Sequence, residues 1–290
     1  MMKAKTPTAI FFEKRSDSVM YTNLFDSHTH SENSPDGNHS VLYMCEQAAN
    51  IGLSGIAITD HVECNDFIKD NYRARMQQSV FDIKRAQQLL GDKLLISCGV
   101  ELGQALQDKD AALEILESYD FDFVLGSLHA LEGKLDFYYW DFTEPEIVVH
   151  DSLVEYYKQQ IDLAKWGHFD VMGHITYPIR YIWGRDRIPV DITRYYDLID
   201  ELLRTLIDKG RGIEVNTSGL RQELGVTLPD FPILKRYREL GGEIITIGTD
   251  ANYVDHIGNG VEYTMDMLRE AGFKYFSFFK GRQPRMLKLA

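Results

Sequence analysis

The stretch FDSHTHSENSPDG, residues 25–37, sets two histidines two positions apart at the end of an apolar run, ahead of a Ser/Pro/Gly turn. On a strand, residues i and i+2 share a face, so His28 and His30 point the same way. The run NLFDSH (23–28) is the first of a series. GIAITDH (55–61) closes on His61, KLLISCGVEL (93–102) carries Glu101 at its end, and FDFVLGSLH (121–129) closes on His129. FDVMGHI (169–175) carries His174 and EIITIGTD (243–250) closes on Asp250, while GIEVNT (212–217) and KYFSFF (274–279) complete the β-branched and aromatic runs. Between them lie amphipathic stretches such as SVLYMCEQAANIG, YYDLIDELLRTLIDKG and FPILKRYRELGG. The last two end on Gly, which tolerates a left-handed C-cap. Strand–helix alternation with near-continuous apolar strands predicts an α/β protein around a buried parallel sheet, either open or closed into a barrel.

In both architectures the carboxyl ends of the strands open on one face, where sites are built. A single His or Asp at a strand end is ordinarily a packed or capping residue. Repetition of the placement at one edge after another is what turns His28, His30, His61, Glu101, His129, His174 and Asp250 into a candidate site. His39, His150 and His168 read as ordinary helix or loop residues, and Asp60 as a residue that orients His61 or caps a helix. The two longest irregular stretches, LEGKLDFYYWDFTEPE (131–146) and TYPIRYIWGRDRIPVD (176–191), are rich in aromatics and charge, as expected of loops that cover a site.

Composition sets the frame. With 290 residues, 44% hydrophobic and 26% charged, the chain can bury a full core. A formal charge of −13 and a pI of about 5.1 argue against a nucleic-acid polymer as partner. Cys45, Cys64 and Cys98 form no C-x-x-C pair, which fits a reducing compartment, and the expected location is cytoplasmic. No run approaches the length of a membrane span. Near the start, the apolar AIFF is interrupted by EKR, too short for a signal peptide. Residues 1–22 are therefore read as an N-terminal extension and 23–290 as one domain, with the oligomeric state left open.

Imidazole with carboxylate and no thiolate set suits Zn, Mn or Fe in a catalytic site. The ligand set is too large for one four-coordinate ion with an open position. With Glu101 or Asp250 bridging, it serves two or three divalent ions. Ions about 3.5–4 Å apart can hold a hydroxide at neutral pH and offset oxyanion charge, which is equipment for hydrolysing a phosphoester.

These residues fall within motifs that resemble one family. DSHTHSENSPDG, GIAITDH, GVELG, LGSLH, VMGHITYP, EVNTSGLRQELG and GGEIITIGTDA follow the order of the polymerase-and-histidinol-phosphatase (PHP) superfamily, specifically its histidinol-phosphatase branch. The resemblance implies a distorted (β/α)7 TIM-like barrel with a trinuclear metal centre at the carboxyl ends of its strands. It implies a first ion on His28, His30, Glu101 and Asp250, and a second on bridging Glu101 with His129 and His174. A third ion would use Asp36 and His61. The family usually completes that site with a His where this chain has Asn252; His256 stands four residues on. Arg221 matches a phosphate-contacting position, as does Arg180 in a more variable loop. The implied reaction is hydrolysis of L-histidinol phosphate by a metal-bound hydroxide, with no protein nucleophile.

Other readings stand beside this one. Another small ester, such as a nucleotide, is the nearest alternative. An amidohydrolase-like barrel also opens with H-x-H, but commonly bridges its metals with a strand-borne Lys that no strand end carries here. A barrel without turnover is suggested by Asn252 and opposed by the complete two-ion core. DFDFV (120–124) matches the D-x-D-x-[TV] string of haloacid-dehalogenase-type phosphatases. There the string follows a strand; here it begins one, which sets Asp120 and Asp122 at the wrong end of the sheet.

Overall fold

The computed structural model describes residues 21–145 and 147–289. The expected N-terminal extension lies outside the described residues except for Tyr21 and Thr22. Strand β1 (Phe25–Thr29) pairs in parallel with β2 (Gly55–Ile58), and β2 with β4 (Leu95–Gly103). β3 (His61–Glu63) continues the line of β2 along β4, so the two make one interrupted barrel strand. The parallel order runs on through β5 (Phe123–Ser127), β6 (Val171–Met172), β7 (Gly212–Asn216) and β8 (Ile245–Gly248). Beyond β8 the chain returns to β1: Thr29 bridges Ala251, and Asp250 N donates to His28 O at 2.8 Å. Seven strand positions close the barrel.

The strands are buried along almost their whole length, as a parallel sheet covered by helices requires. The covering helices begin where polar caps allow. Ser40 accepts from Tyr43 N to start α1 (Val41–Asn50), and Asp108 accepts from Ala111 N to start α3 (Lys109–Ser118). Between them runs α2 (Tyr72–Leu90). α4 (Val149–Trp166) stops at Gly167 with φ 65°, and α5 (Tyr196–Asp208) runs out two residues before Gly210 at φ 64°.

KYFSFF takes a different place from the other apolar runs. It forms β9 (Tyr275–Lys280), which pairs antiparallel with β10 (Gln283–Lys288) outside the barrel path. The hairpin closes the amino end: Phe278 stacks on Phe25 and Phe279 on Phe123, each with ring centroids 5.0 Å apart. Its apolar and aromatic composition is that of a barrel strand, and composition does not reveal the antiparallel partner that follows it. Asp122 lies at this same end, accepting from Cys98 N, Gly281 N and Lys280 Nζ. That is the end opposite the one a catalytic D-x-D string would need.

Candidate metal centre

All seven strand-end residues meet at the carboxyl face, in two groups joined by one carboxylate. The first group brings His28, His30 and Asp250 within 4.8 Å of one another, and the second does the same for His61, Glu101 and His129. Glu101 reaches both. Its Oε2 lies 3.4 Å from His28 Nε2 and 3.5 Å from His30 Nε2, while Oε1 lies 3.3 Å from His129 Nε2 and 2.8 Å from His174 Nε2. The strand period explains this: on β4, Glu101 is level with His61 of β3 and Leu125 of β5, so neighbouring strand ends deliver their side chains to one layer. The backbone is also unusual at two of these residues, with positive φ at His174 (22°) and Asp250 (55°).

The hydrogen bonds around the rings show that the donor set fits cations. His28 Nδ1 meets Glu214 Oε1 at 2.6 Å, so Nδ1 carries a hydrogen and, in the neutral ring, Nε2 is bare. His30 Nδ1 meets Ser34 Oγ, whose own hydrogen goes to Asp60 Oδ1, so Nε2 of His30 is bare as well. These two bare nitrogens face each other at 2.9 Å. Two lone pairs at that distance repel unless a proton or a metal ion sits against them. His129 repeats the pattern, with Nδ1 on Glu63 and Nε2 turned toward His174 Nε2 at 3.3 Å. His174 Nδ1 is buried without a partner among the described residues.

Electrostatics favour positive charge at the same place. Burial disfavours protonated imidazole at His28, His61 and His129, yet the facing carboxylates outweigh it and raise all three, His61 to about 9. Burial likewise pushes Glu101 and Asp250 up, and the surrounding histidines, with Arg180 at Asp250, hold both well below the usual carboxylate range. Protons and metal ions compete for the same nitrogens here. His174 goes the other way: burial lowers it.

The centre lies in the wall of a cavity of about 930 Å3. Arg180 and Arg221 both reach it and converge on Asp250. Arg180 Nη2 donates to Asp250 Oδ2 at 3.1 Å and to Ser218 Oγ at 2.6 Å. Arg221 binds the carbonyls of Thr249 and Asp250 at 2.5 and 2.6 Å, and its burial lowers its pKa. Asp36, Asn252 and His256 line the cavity too. Asp36 Oδ2 accepts from Asn252 Nδ2 at 2.9 Å, whereas His61, expected beside Asp36, directs Nδ1 toward Glu101. His256 packs edge-on against Tyr253. Both long loops contribute walls, through Asp136 and Tyr138 from one and Tyr177 and Tyr181 from the other.

Three carboxylates that support the centre, Glu63, Glu214 and Asp26, escaped the reading of strand ends. Glu63 bonds both His61 and His129. Glu214 bonds the His28 ring and the His174 backbone. Gly248 leaves room for this, because a Cβ there would stand 2.2 Å from Glu214 Oε1. Asp26 accepts from Thr249 N, Thr249 Oγ1 and Gly258 N, anchoring the segment that carries Asp250. Asp60 touches neither ring nitrogen of His61; it gathers Ser31, Ser34 and Ser79, and Ser34 then meets His30 and His61 N. The alternation in H-V-E, with Glu63 two residues after His61, was the one signal available for Glu63.

A family model described as the PHP domain matches residues 26–218. The chain belongs to the PHP-domain family. It is 33% identical over 278 residues to a probable histidinol-phosphatase of Clostridium acetobutylicum, covering 92% of this chain and all of that protein. It is 26% identical to a histidinol-phosphatase of Lactococcus lactis, across 88% of this chain and 94% of the other. Among solved structures, it is similar to the Lactococcus lactis histidinol phosphate phosphatase determined with zinc, L-histidinol and phosphate. That match has a TM-score of 0.77 at 22% identity and covers 91% of this chain and 99% of that one. Both chains share the barrel fold. No helix among the described residues is long and apolar enough to cross a membrane.

Proposed function

We propose that this chain is a metal-dependent phosphomonoester hydrolase acting on L-histidinol phosphate, with a two-ion centre. The observation that carries the reading is Glu101: one oxygen faces Nε2 of both His28 and His30, the other Nε2 of both His129 and His174. One ion would be held by His28, His30, Asp250 and Glu101, the other by Glu101, His129, His174 and His61. Zn, Mn and Fe all suit this donor set. When bound, such ions supply Lewis acidity and bring the pKa of water toward neutrality.

The chain's own groups do the rest. Arg180 and Arg221 stand beside Asp250 and place guanidinium charge where a phosphate entering the cavity would arrive. The ester's P–O bond breaks, water supplies the new oxygen, and the alcohol leaves with a proton. Asp136, which accepts from the Tyr177 hydroxyl at 3.1 Å, and Glu223 give the cavity acidic walls suited to a substrate with an imidazole and an amine. The relatives named histidinol-phosphatase support that substrate. The buried free thiols of Cys45, Cys64 and Cys98 support a cytoplasmic setting.

The test is phosphate release from L-histidinol phosphate, with a nucleoside monophosphate and chelator-treated protein beside it. Release that is chelator-sensitive and selective for histidinol phosphate is expected. Faster release from the nucleotide would reassign the substrate, and release unaffected by chelation would overturn the metal-dependent reading.

A further inference from the structure

Glu63 sits where three strands meet. His61 and Glu63 are i and i+2 on β3, level with Glu101 and Gly103 of β4, and Gly103 is level with Ser127, two residues before His129. The Glu63 carboxylate lies over Gly103, where a Cβ would come within 2.7 Å of both its oxygens, so only glycine leaves it room. From there a single oxygen, Oε1, meets His61 Nε2 at 2.8 Å and His129 Nδ1 at 2.6 Å. Oε2 is buried without a partner among the described residues.

An ionised carboxylate only accepts, so both contacting nitrogens must carry hydrogen. When neutral, as a metal ligand must be, the two rings are thereby fixed in opposite tautomers. His61 keeps its hydrogen on Nε2 and bares Nδ1, which lies 3.7 Å from Glu101 Oε2. His129 keeps its hydrogen on Nδ1 and bares Nε2, 3.3 Å from Glu101 Oε1. Reversing either ring would set a lone pair against the Glu63 oxygen and aim an N–H where a cation belongs. We infer that Glu63 is the positioning residue of the second ion group, imposing opposite tautomers on His61 and His129 so that both present a lone pair beside Glu101. This inference rests on the two-ion reading. Glu214, through His28, serves the first group in the same way.

The test uses the full chain loaded with zinc. Long-range proton–nitrogen correlation spectra, assigned with H61N and H129N, should show hydrogen on Nε2 of His61 and on Nδ1 of His129 in the wild type. Chelator-competition isotherms should give two zinc ions for the wild type. E63A should bind one as tightly as the wild type and the other about 10–100-fold more weakly. H30A should weaken the complementary ion. E63Q keeps an acceptor oxygen and should restore most of the affinity, which a loss of packing alone would not predict for one ion selectively. A His61 ring with hydrogen on Nδ1, or an E63A protein that loses both ions equally or neither, overturns the assignment. The spectra read the wild type directly, so they decide even if E63A fails to fold. A wild type that binds no zinc fails the two-ion reading instead.

Discussion

The two ends of this barrel both bury carboxylates, and they neutralise them differently. At the amino end Asp170, 1% exposed, accepts from Val124 N at 2.8 Å and Arg282 Nε at 2.5 Å, with Arg211 Nη1 3.7 Å away. Asp122 beside it takes Lys280. These partners carry permanent charge, so the account closes within the chain. At the carboxyl end Glu63, Glu101 and Glu214 face imidazoles, whose charge is optional, and among the described residues only Arg180 pairs a permanent cation with Asp250. A buried carboxylate with Arg or Lys is a structural fastening. One ringed by histidines offers a donor set suited to a cation.

The sharpest way to break this contrast is to make the same kind of change at each end. Glu101→Gln removes the charge shared by both groups, and turnover should fall by about 10^3-fold or more, with bound metal falling from two ions per chain. Elemental analysis beside the rate assay measures both. Full metal content with near-normal turnover would remove Glu101 from the centre. Asp170→Ala, by contrast, strands two arginines and the Val124 N–H. It should cost about 2–4 kcal/mol of stability, discounted because both arginines are about one-third exposed. Turnover per folded molecule should stay unchanged, and a loss of metal on Asp170→Ala would show that the ends are coupled.

The sequence made the carboxyl end legible because strand termini can be read from apolar periodicity, and His or Glu at each terminus then needs no long-range information. The amino end was less open. Asp170 stands at the start of an apolar run in FDVMGHI, but its partners Arg211 and Arg282 come from 41 and 112 residues away, and only folding brings them together. For the same reason Glu214, in the middle of GIEVNT, passed as an ordinary strand residue although it faces His28 across 186 positions. KYFSFF has strand composition, and composition does not reveal an antiparallel partner that follows it in a hairpin. The Asp36–Asn252 contact spans 216 positions and was equally hidden.

Acidity sharpens the comparison, because the carboxyl end gathers histidines whose pKa values the surrounding carboxylates raise. In metal-free protein, His61 is raised from 6.5 to about 9, and His28 and His129 are raised as well, by carboxylates that outweigh burial. A raised histidine contributes stability that is fully present below pH 6.5 and is lost as pH climbs through its folded value. Chelated protein should therefore lose about 2 kcal/mol between pH 6.5 and 9, whereas metal-loaded protein, with those nitrogens occupied, should not. The lowered carboxylates of Glu101 and Asp250 are ionised across this window and do not alter the sign. Calorimetric melting of the two forms at several pH values measures the difference, and parallel curves would show that protons and metal do not share the nitrogens.

The smallest effect is expected at the rim, between the two extremes. Asn252 donates to Asp36 in place of any histidine ligand there, and Asp36 is exposed, so the pair resembles the fastenings of the amino end more than the ligand groups beside it. One hydrogen bond to an exposed carboxylate contributes about 0.5–1 kcal/mol. Asn252→Ala should shift stability by no more than that and leave the ion count of the wild type intact. If instead the wild type holds a third ion and Asn252→Ala releases it, then the Asn252 side-chain oxygen, buried without a partner here, is a ligand, and the boundary between fastening and site moves outward to include Asp36.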